Sequence, residues 1–453
     1  MTKVTQYMKV LRFAAQLAVA TQLAVSQAAA QTPGSIAIDC DQAAVNLRWS
    51  SVTGRSYMVY GTSQLTSLWS DVETVPKPLV AASNQLSYSL TMPTNQQFFY
   101  RIGELPEDNF QIEVTTTTSS QNFIIRFVNP DTLHVDWGNG SANDFNATNA
   151  EINFTNTYAI SGVYTVRMSG KVKSIDCYAY IADGGGPGYG TPVLVSAIQS
   201  TIRGITGLTS GYEMFKGCRN ITNIPAGLFD QCPGITTFYD TFLECSKITS
   251  IPLGLFNAQS NVVNFYATFD NCDLLASVPA GLFNKHTNNT NFAWTFAKCY
   301  SLTGMPESVF NTHRKNLTFD HVFFRCYALP SLSSALFTNN PLVTTFANAF
   351  TECRALSSIP PGLFDKNTAV TTFAYAFYGC TNLSSIPPDL FAKNTNVTSY
   401  ASTFEGCMRL TGASPTNSAG QKLWELTPTP IGTACFRNCT NLTDYDTIPA
   451  GWK

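Results

Sequence analysis

The sequence predicts a mixed fold class: two N-terminal β-sandwich modules followed by a repeat solenoid of about nine 27-residue coils. Three observations support this prediction. A basic and then apolar leader opens the chain, short apolar–polar alternations run through residues 35–102, and cysteines recur every 27 residues in the C-terminal half. The expected divisions are a signal peptide (1–30), two sandwiches (33–105 and 106–180), a linker with a solenoid cap (181–213) and the repeats (214–453).

The first 30 residues have the layout of a secretory signal peptide. Lys3, Lys9 and Arg12 precede an apolar run that ends in three alanines at 28–30, as an exported chain requires. Two glutamines interrupt the run, so a membrane-surface amphipathic helix is the alternative. No later stretch approaches the ~18 apolar residues of a membrane span. We therefore expect a secreted or cell-surface protein without a membrane span.

Residues 33–105 are predicted to form the first sandwich. The runs SIAID, VNLRWS, YMVYGT, QLSYSL and QFFYRI alternate apolar and polar residues, and turns separate them, which is typical of short strands in an all-β module. Trp49, Tyr57, Leu65 and Trp69, with the closing Phe-Phe-Tyr-Arg, are similar to fibronectin-like modules of secreted bacterial proteins.

Residues 106–180 are predicted to form the second sandwich. The phrases HVDWGNG (134–140) and NTYAISGVYTVRMSG (156–170) resemble the polycystic-kidney-disease (PKD) domain, which implies another β-sandwich. Apolar residues alternate with polar ones through the first phrase, so His134 and Asp136 are expected to face solvent.

The segment 181–213 joins this module to the repeats. Its glycine-rich start, ADGGGPGYGTP (182–192), lacks the Gly-Lys-Ser/Thr of a phosphate-binding loop, and we interpret it as a linker. Residues 193–213 keep some of the repeat's character without its cysteine, as expected for an atypical terminal cap.

The repeats are defined by a cysteine within the phrase Phe-x-x-Cys, with Ile or Leu three residues later and usually Ile-Pro or a relative beyond it. The spacing is 27 residues throughout, until a five-residue insertion precedes the last copy. The cysteines are Cys218, Cys245, Cys272, Cys299, Cys326, Cys353, Cys380, Cys407 and Cys439. Such a period is the signature of leucine-rich-repeat-type solenoids, in which stacked coils bury a shared apolar face.

Within one coil, the spacing predicts local structure. Apolar residues in 369–380 fall at steps of three and four, which indicates a helical turn or two, and the following LSSIP is expected to be a short strand. The ladder cysteines should be buried as free thiols, because same-facing side chains on stacked coils do not point at each other.

The repeated phrase AFxxC-x-x-L-x-x-IP resembles the leucine-rich repeats of the BspA type, also known as the mycoplasma lipoprotein repeat. The resemblance covers 214–453, although this repeat is longer than many in the family. It implies a bacterial or protozoal surface protein that binds host proteins or other cells.

Composition and motifs favour no catalytic or nucleic-acid function. The net charge is −2 and only 12% of residues are charged, so no basic surface is indicated. His-Glu-x-x-His, Gly-x-Ser-x-Gly and Cys-x-x-Cys are all missing from the sequence, and we expect neither an enzyme nor a cofactor. His286 and His313 lie 27 residues apart, between Gln259 and Asn340. A shared metal ion is conceivable there, but two solvated loop histidines are the preferred interpretation, and no metal site is predicted.

We therefore expect a monomeric, non-catalytic surface protein for adhesion or ligand recognition, with an extracellular protein or glycan as partner. The alternative is a carbohydrate-binding accessory protein of a secreted polysaccharide-degrading system.

Recognition should use positions that vary between coils. The residue after each ladder cysteine varies, and Tyr300, Tyr327 and Arg354 are consecutive there; Tyr and Arg are enriched at binding hot spots. The alternative face holds Trp294, His321 and Tyr375, interrupted by Asn348.

Overall fold

The computed structural model describes residues 109–145, 151–177 and 192–453 with their side chains, and the backbones of strands between residues 37 and 104, at 180–182 and at 187–189. The predicted signal peptide (1–30), Leu65 and Trp69 lie outside the described residues. The chain divides into two compact units, 1–108 and 109–453.

The first unit contains two three-stranded antiparallel sheets, with strand orders β1-β2-β5 and β4-β3-β6. Trp49 lies on β2 and Tyr57 on β3. The strands are β1 (Ala37–Cys40), β2 (Ala44–Ser50), β3 (Ser56–Thr62), β4 (Leu79–Val80), β5 (Gln85–Thr91) and β6 (Phe99–Glu104).

The second unit begins with two further sheets. One has the order β10-β9-β12-β7-β16, with β17 beside β12, and the other the order β11-β8-β13; β14 and β15 form a separate hairpin. The strands are β7 (Phe110–Thr116), β8 (Gln121–Val128), β9 (Thr132–Asp136), β10 (Ala142–Phe145), β11 (Glu151–Tyr158), β12 (Gly162–Lys171), β13 (Ser174–Asp176), β14 (Tyr180–Ala182), β15 (Pro187–Tyr189), β16 (Val195–Ile198) and β17 (Ile205–Thr206).

Alternation places one side of β7, β9 and β11 in a common core. Every second residue of β7 is buried, beginning with Phe110, as expected for a strand with one covered side. In β9, His134 is exposed and Asp136 half-buried, whereas Leu133 and Val135 are buried. The prediction that His134 faces solvent is therefore confirmed, whereas Asp136 is only partly exposed.

The predicted fold class is wrong. The strands of the described residues lie upstream, in sheets whose pairings are antiparallel apart from that of β12 with β17. Residues 207–453 contain no strand and no α-helix, only three short 3₁₀ helices (Leu423–Glu425, Tyr445–Thr447 and Ala450–Trp452). A fourth, Pro192–Leu194, precedes β16. A leucine-rich-repeat-type solenoid of strands and helical turns is therefore not present.

Residues 209–453, which we call the repeat array, consist of turns. Successive 27-residue repeats are joined by isolated parallel bridges, such as those linking Thr345, Thr372 and Ser399. The amides of Phe373, Tyr375 and Phe377 donate to carbonyls of the next repeat at 3.0, 2.8 and 2.9 Å, whereas the amide of Ala376 closes a turn within its own repeat at 2.9 Å. An α-helix would need all of these amides for its own i→i−4 bonds, so the repeats form turns.

The interior of the repeat array is built from columns of identical side chains. Neighbouring phenylalanines stack, with ring centroids 5.7 Å apart for Phe323 and Phe350 and 5.3 Å for Phe350 and Phe377. The ladder cysteines are buried free thiols, as predicted. From Cys245 to Cys407 each thiol donates to the carbonyl of the phenylalanine 30 residues earlier at 3.1 to 3.3 Å.

Candidate functional site

Tyr300, Tyr327 and Arg354, from three successive repeats, lie side by side on the surface; we call them the aromatic strip. The two tyrosine rings are stacked at 4.9 Å, with an interplanar angle of 18°. The Arg354 guanidinium lies over the Tyr327 ring, its Cζ 4.5 Å from the centroid, which is cation–π geometry. The structure thus brings together all three residues predicted from the sequence.

Glu352 holds the end of the aromatic strip in place. Its Oε2 accepts a hydrogen bond from Arg354 Nη2 at 2.6 Å, and its Oε1 accepts one from Arg325 Nε at 3.0 Å. The carboxylate is only 16% exposed, whereas the Arg354 side chain is 55% exposed. Glu352 therefore orients a largely accessible guanidinium against the tyrosine ring.

The alternative set is only partly assembled. Trp294 and His321 stack at 3.9 Å, and both rings contact Phe324, at 5.6 and 5.1 Å. Tyr375 is 43% exposed and pairs with Tyr378 of its own repeat at 5.9 Å. Tyr375 therefore belongs to a separate aromatic pair.

The backbone at the alternative set is left-handed. Trp294, His321, Asn348 and Tyr375 have φ between 55° and 61°, which is unusual for bulky residues. Each amide donates to a carbonyl of the next repeat, for example Trp294 N to Asp320 O at 2.9 Å and Tyr375 N to Ala401 O at 2.8 Å. Hydrogen bonds between repeats therefore hold these residues in the left-handed conformation. A strained backbone persists only where the surrounding structure fixes it in this way.

The interpretation of His286 and His313 as solvated loop residues is wrong. Both are fully buried. The ring nitrogen Nε2 of His286 lies 2.9 Å from Phe256 O, and that of His313 lies 3.0 Å from Phe283 O. Each imidazole is the hydrogen-bond partner of a carbonyl that would otherwise be buried without one. The polar residues around both histidines suggested exposure instead.

The same role is filled by amide side chains in the flanking repeats. Gln259 donates to Phe229 O at 2.6 Å, Asn340 to Phe310 O at 3.1 Å and Asn367 to Phe337 O at 3.1 Å. Asn394 donates a hydrogen bond to the equivalent carbonyl in the next repeat along. We call these four residues and the two histidines the polar ladder.

Burial dominates the electrostatics of the repeat interior. Desolvation lowers the pKa of His286 below its ordinary value and lowers that of His313 to about 4, because charging an imidazole away from water is costly. Burial also raises the pKa of ladder thiols such as Cys326 and Cys353, which suppresses the reactive thiolate. Within the described residues, no group of three or more His, Cys, Asp or Glu side chains is placed to hold a metal ion.

No protein-family model, curated protein or solved structure matches this chain. The resemblances to BspA-type repeats, PKD domains and fibronectin-like modules remain predictions. In the part of the chain that the structure describes, no helix is long and apolar enough to cross a membrane.

Phe324, Arg325 and Glu352 were not predicted from the sequence as surface-site residues. Arg325 and Glu352 immediately precede ladder cysteines, where other repeats carry Glu244 or Lys298. The change of charge at this position from repeat to repeat was the sequence feature that could have identified Arg325 and Glu352. It shows that the surface positions on both sides of each cysteine differ between repeats.

Proposed function

We propose that this protein is exported and, without catalysing a reaction, recognises an extracellular protein through the aromatic strip. The observation that carries the proposal is the stack of Tyr300 on Tyr327 capped by Arg354. Such residues supply large contact areas with a polar tip, and they dominate the energies of many interfaces. The leader sequence at residues 1–30 supports export.

The preorganised geometry of the strip favours binding. The tyrosine rings already support each other, and Glu352 already holds Arg354 at 2.6 Å, so little side-chain freedom is lost when a partner docks. Ordering a long side chain at an interface costs about 0.5–1.5 kcal/mol. Because Arg354 still exposes most of its side chain, it can donate to a partner's carboxylate or carbonyl.

The test is binding of the full chain to immobilised purified extracellular-matrix and cell-surface proteins, measured by biolayer interferometry. We expect Tyr300→Ser with Tyr327→Ser to weaken binding at least tenfold, equivalent to about 1.4 kcal/mol, with little change in melting temperature. The matched control is Tyr239→Ser with Tyr266→Ser, a second stacked pair whose centroids are 4.6 Å apart. Binding to no protein, or equal binding by the double variant, would overturn the proposal. Loss on Trp294→Ser alone would place recognition on the alternative set.

A further inference from the structure

A groove crosses five successive repeats beside the aromatic strip. Its volume is about 460 Å³, within the range of about 300–1,000 Å³ that is typical of small-ligand sites. It is lined by Phe324, Arg325, Asn348, Thr351, Glu352, Tyr375, Tyr378, Ser402, Glu405, Thr433, Ala434 and Arg437. We call it the aromatic groove, and Glu352 also contacts the aromatic strip.

The groove exists because the repeats place small residues between large ones. Phe324 and Tyr378 occupy equivalent positions two repeats apart, and Thr351 lies at that position in the repeat between them. In the neighbouring column, Tyr375 is followed by Ser402 and then Ala434. At ~4.8 Å for each parallel pairing, two repeats separate the two aromatic rings by roughly 10 Å.

The charges along the groove are balanced and paired. Arg325 Nη2 lies 3.0 Å from Glu352 Oε1, and Arg437 Nη1 lies 2.9 Å from Glu405 Oε1. A charged ligand would have to compete with one of these pairs. A neutral ligand with many hydroxyl groups can accept from the guanidinium groups and donate to the carboxylates while both pairs persist.

We propose that the aromatic groove binds a neutral oligosaccharide. The apolar C–H faces of sugar rings pack on Tyr375 and Tyr378, since the guanidinium of Arg325 already covers the Phe324 ring, with its Cζ 4.9 Å from the centroid. The sugar hydroxyls bond to the paired side chains at the rim. Tyr375 is 43% exposed and Tyr378 is half-buried, so both rings offer surface to a ligand. The groove crosses five repeats, or roughly 20 Å at ~4.8 Å for each pairing, so an extended chain of several sugars can lie along it.

The experiment is isothermal titration of the full chain with soluble hexasaccharides. The neutral probes are hexamers of glucose, mannose and N-acetylglucosamine, and the charged probes are hexagalacturonate and hexaglucosamine. We expect at least one neutral hexamer to bind with a Kd that stays within about twofold between low and high salt, because no net charge is neutralised. Tyr378→Ser should weaken this binding at least tenfold.

Controls separate the groove from the aromatic strip and from misfolding. Tyr300→Ser with Tyr327→Ser should bind the hexamer within about twofold of wild type, as should Tyr212→Ser, which alters an exposed tyrosine elsewhere. If Tyr378→Ser lowers the melting temperature, a second groove variant, Tyr375→Ser, tests the same surface. Binding of charged hexamers only, no binding of any neutral hexamer, or unchanged binding by both groove variants would overturn the proposal. None of these outcomes affects protein recognition by the strip.

Discussion

Acidification should destabilise the protein through His313, and replacing this histidine by asparagine should remove that effect. His313 is fully buried, and desolvation lowers its pKa from 6.5 to about 4. As the pH falls below 6.5, the unfolded chain takes up a proton at this residue while the folded chain does not. The free energy of unfolding therefore falls between about pH 7 and pH 4.

The magnitude follows from the same two pKa values. At about 1.4 kcal/mol for each pKa unit, the difference between 6.5 and about 4 corresponds to about 3 kcal/mol. The polar ladder provides a matched replacement, because Asn340 and Asn367 donate to equivalent carbonyls in the next repeats. His313→Asn should therefore keep the bond to Phe283 O, and change stability at pH 7 by less than about 1 kcal/mol.

The assay is urea unfolding of wild type and His313→Asn at pH 7 and pH 4, followed by circular dichroism. Burial raises the pKa values of Asp240 and Asp270 to about 6, so these carboxylic acids contribute with the opposite sign, stabilising the folded chain as the pH falls. They are present in both proteins, and the difference between the proteins isolates His313. We expect wild type to lose about 3 kcal/mol more than the variant, and equal losses would refute the assignment.

The other predictions concern the interior of the repeat array. The twelve described thiols should resist alkylation in the native protein and react after denaturation, as counted by mass spectrometry; rapid labelling of Cys326 in the native state would contradict its burial. Asn367→Ala should lower the free energy of unfolding by about 2–4 kcal/mol, because the side chain is fully buried and donates to two carbonyls at 3.1 and 2.9 Å. The control Asn396→Ala, at an exposed residue with one bond, should cost less than about 1 kcal/mol in the same urea titration.

The period of the sequence predicted the buried columns of cysteine and phenylalanine, but not how the backbone is bonded. The ladder cysteines and their phenylalanines form buried columns, because stacking of equal units makes every inward position repeat. The steps of three and four in 369–380 suggested a helical turn. A chain of turns closed by bonds such as Ala376 N to Phe373 O, at 2.9 Å, also brings residues three or four apart to one side. Apolar spacing alone therefore could not distinguish a helical turn from a chain of hydrogen-bonded turns.

The surface residues were predicted in part. Variation after each ladder cysteine identified Tyr300, Tyr327 and Arg354, and equal spacing made their contact foreseeable. The contribution of Glu352 depends on the direction of its side chain from a left-handed backbone, with φ of 55°, which no local pattern in the sequence encodes. The burial of His313 also escaped prediction, because it depends on a carbonyl of another repeat.

The most direct test of recognition by the repeat array is hydroxyl-radical footprinting of the full chain, with and without a saturating protein partner found in the binding panel. Oxidation of Tyr300 and Tyr327 should fall at least about threefold when the partner binds, since docking removes water from their rings. Oxidation of Tyr239 and Tyr266, the second stacked pair, should stay unchanged. Protection of that control pair with full oxidation of Tyr300 and Tyr327 would contradict the assignment of the binding surface.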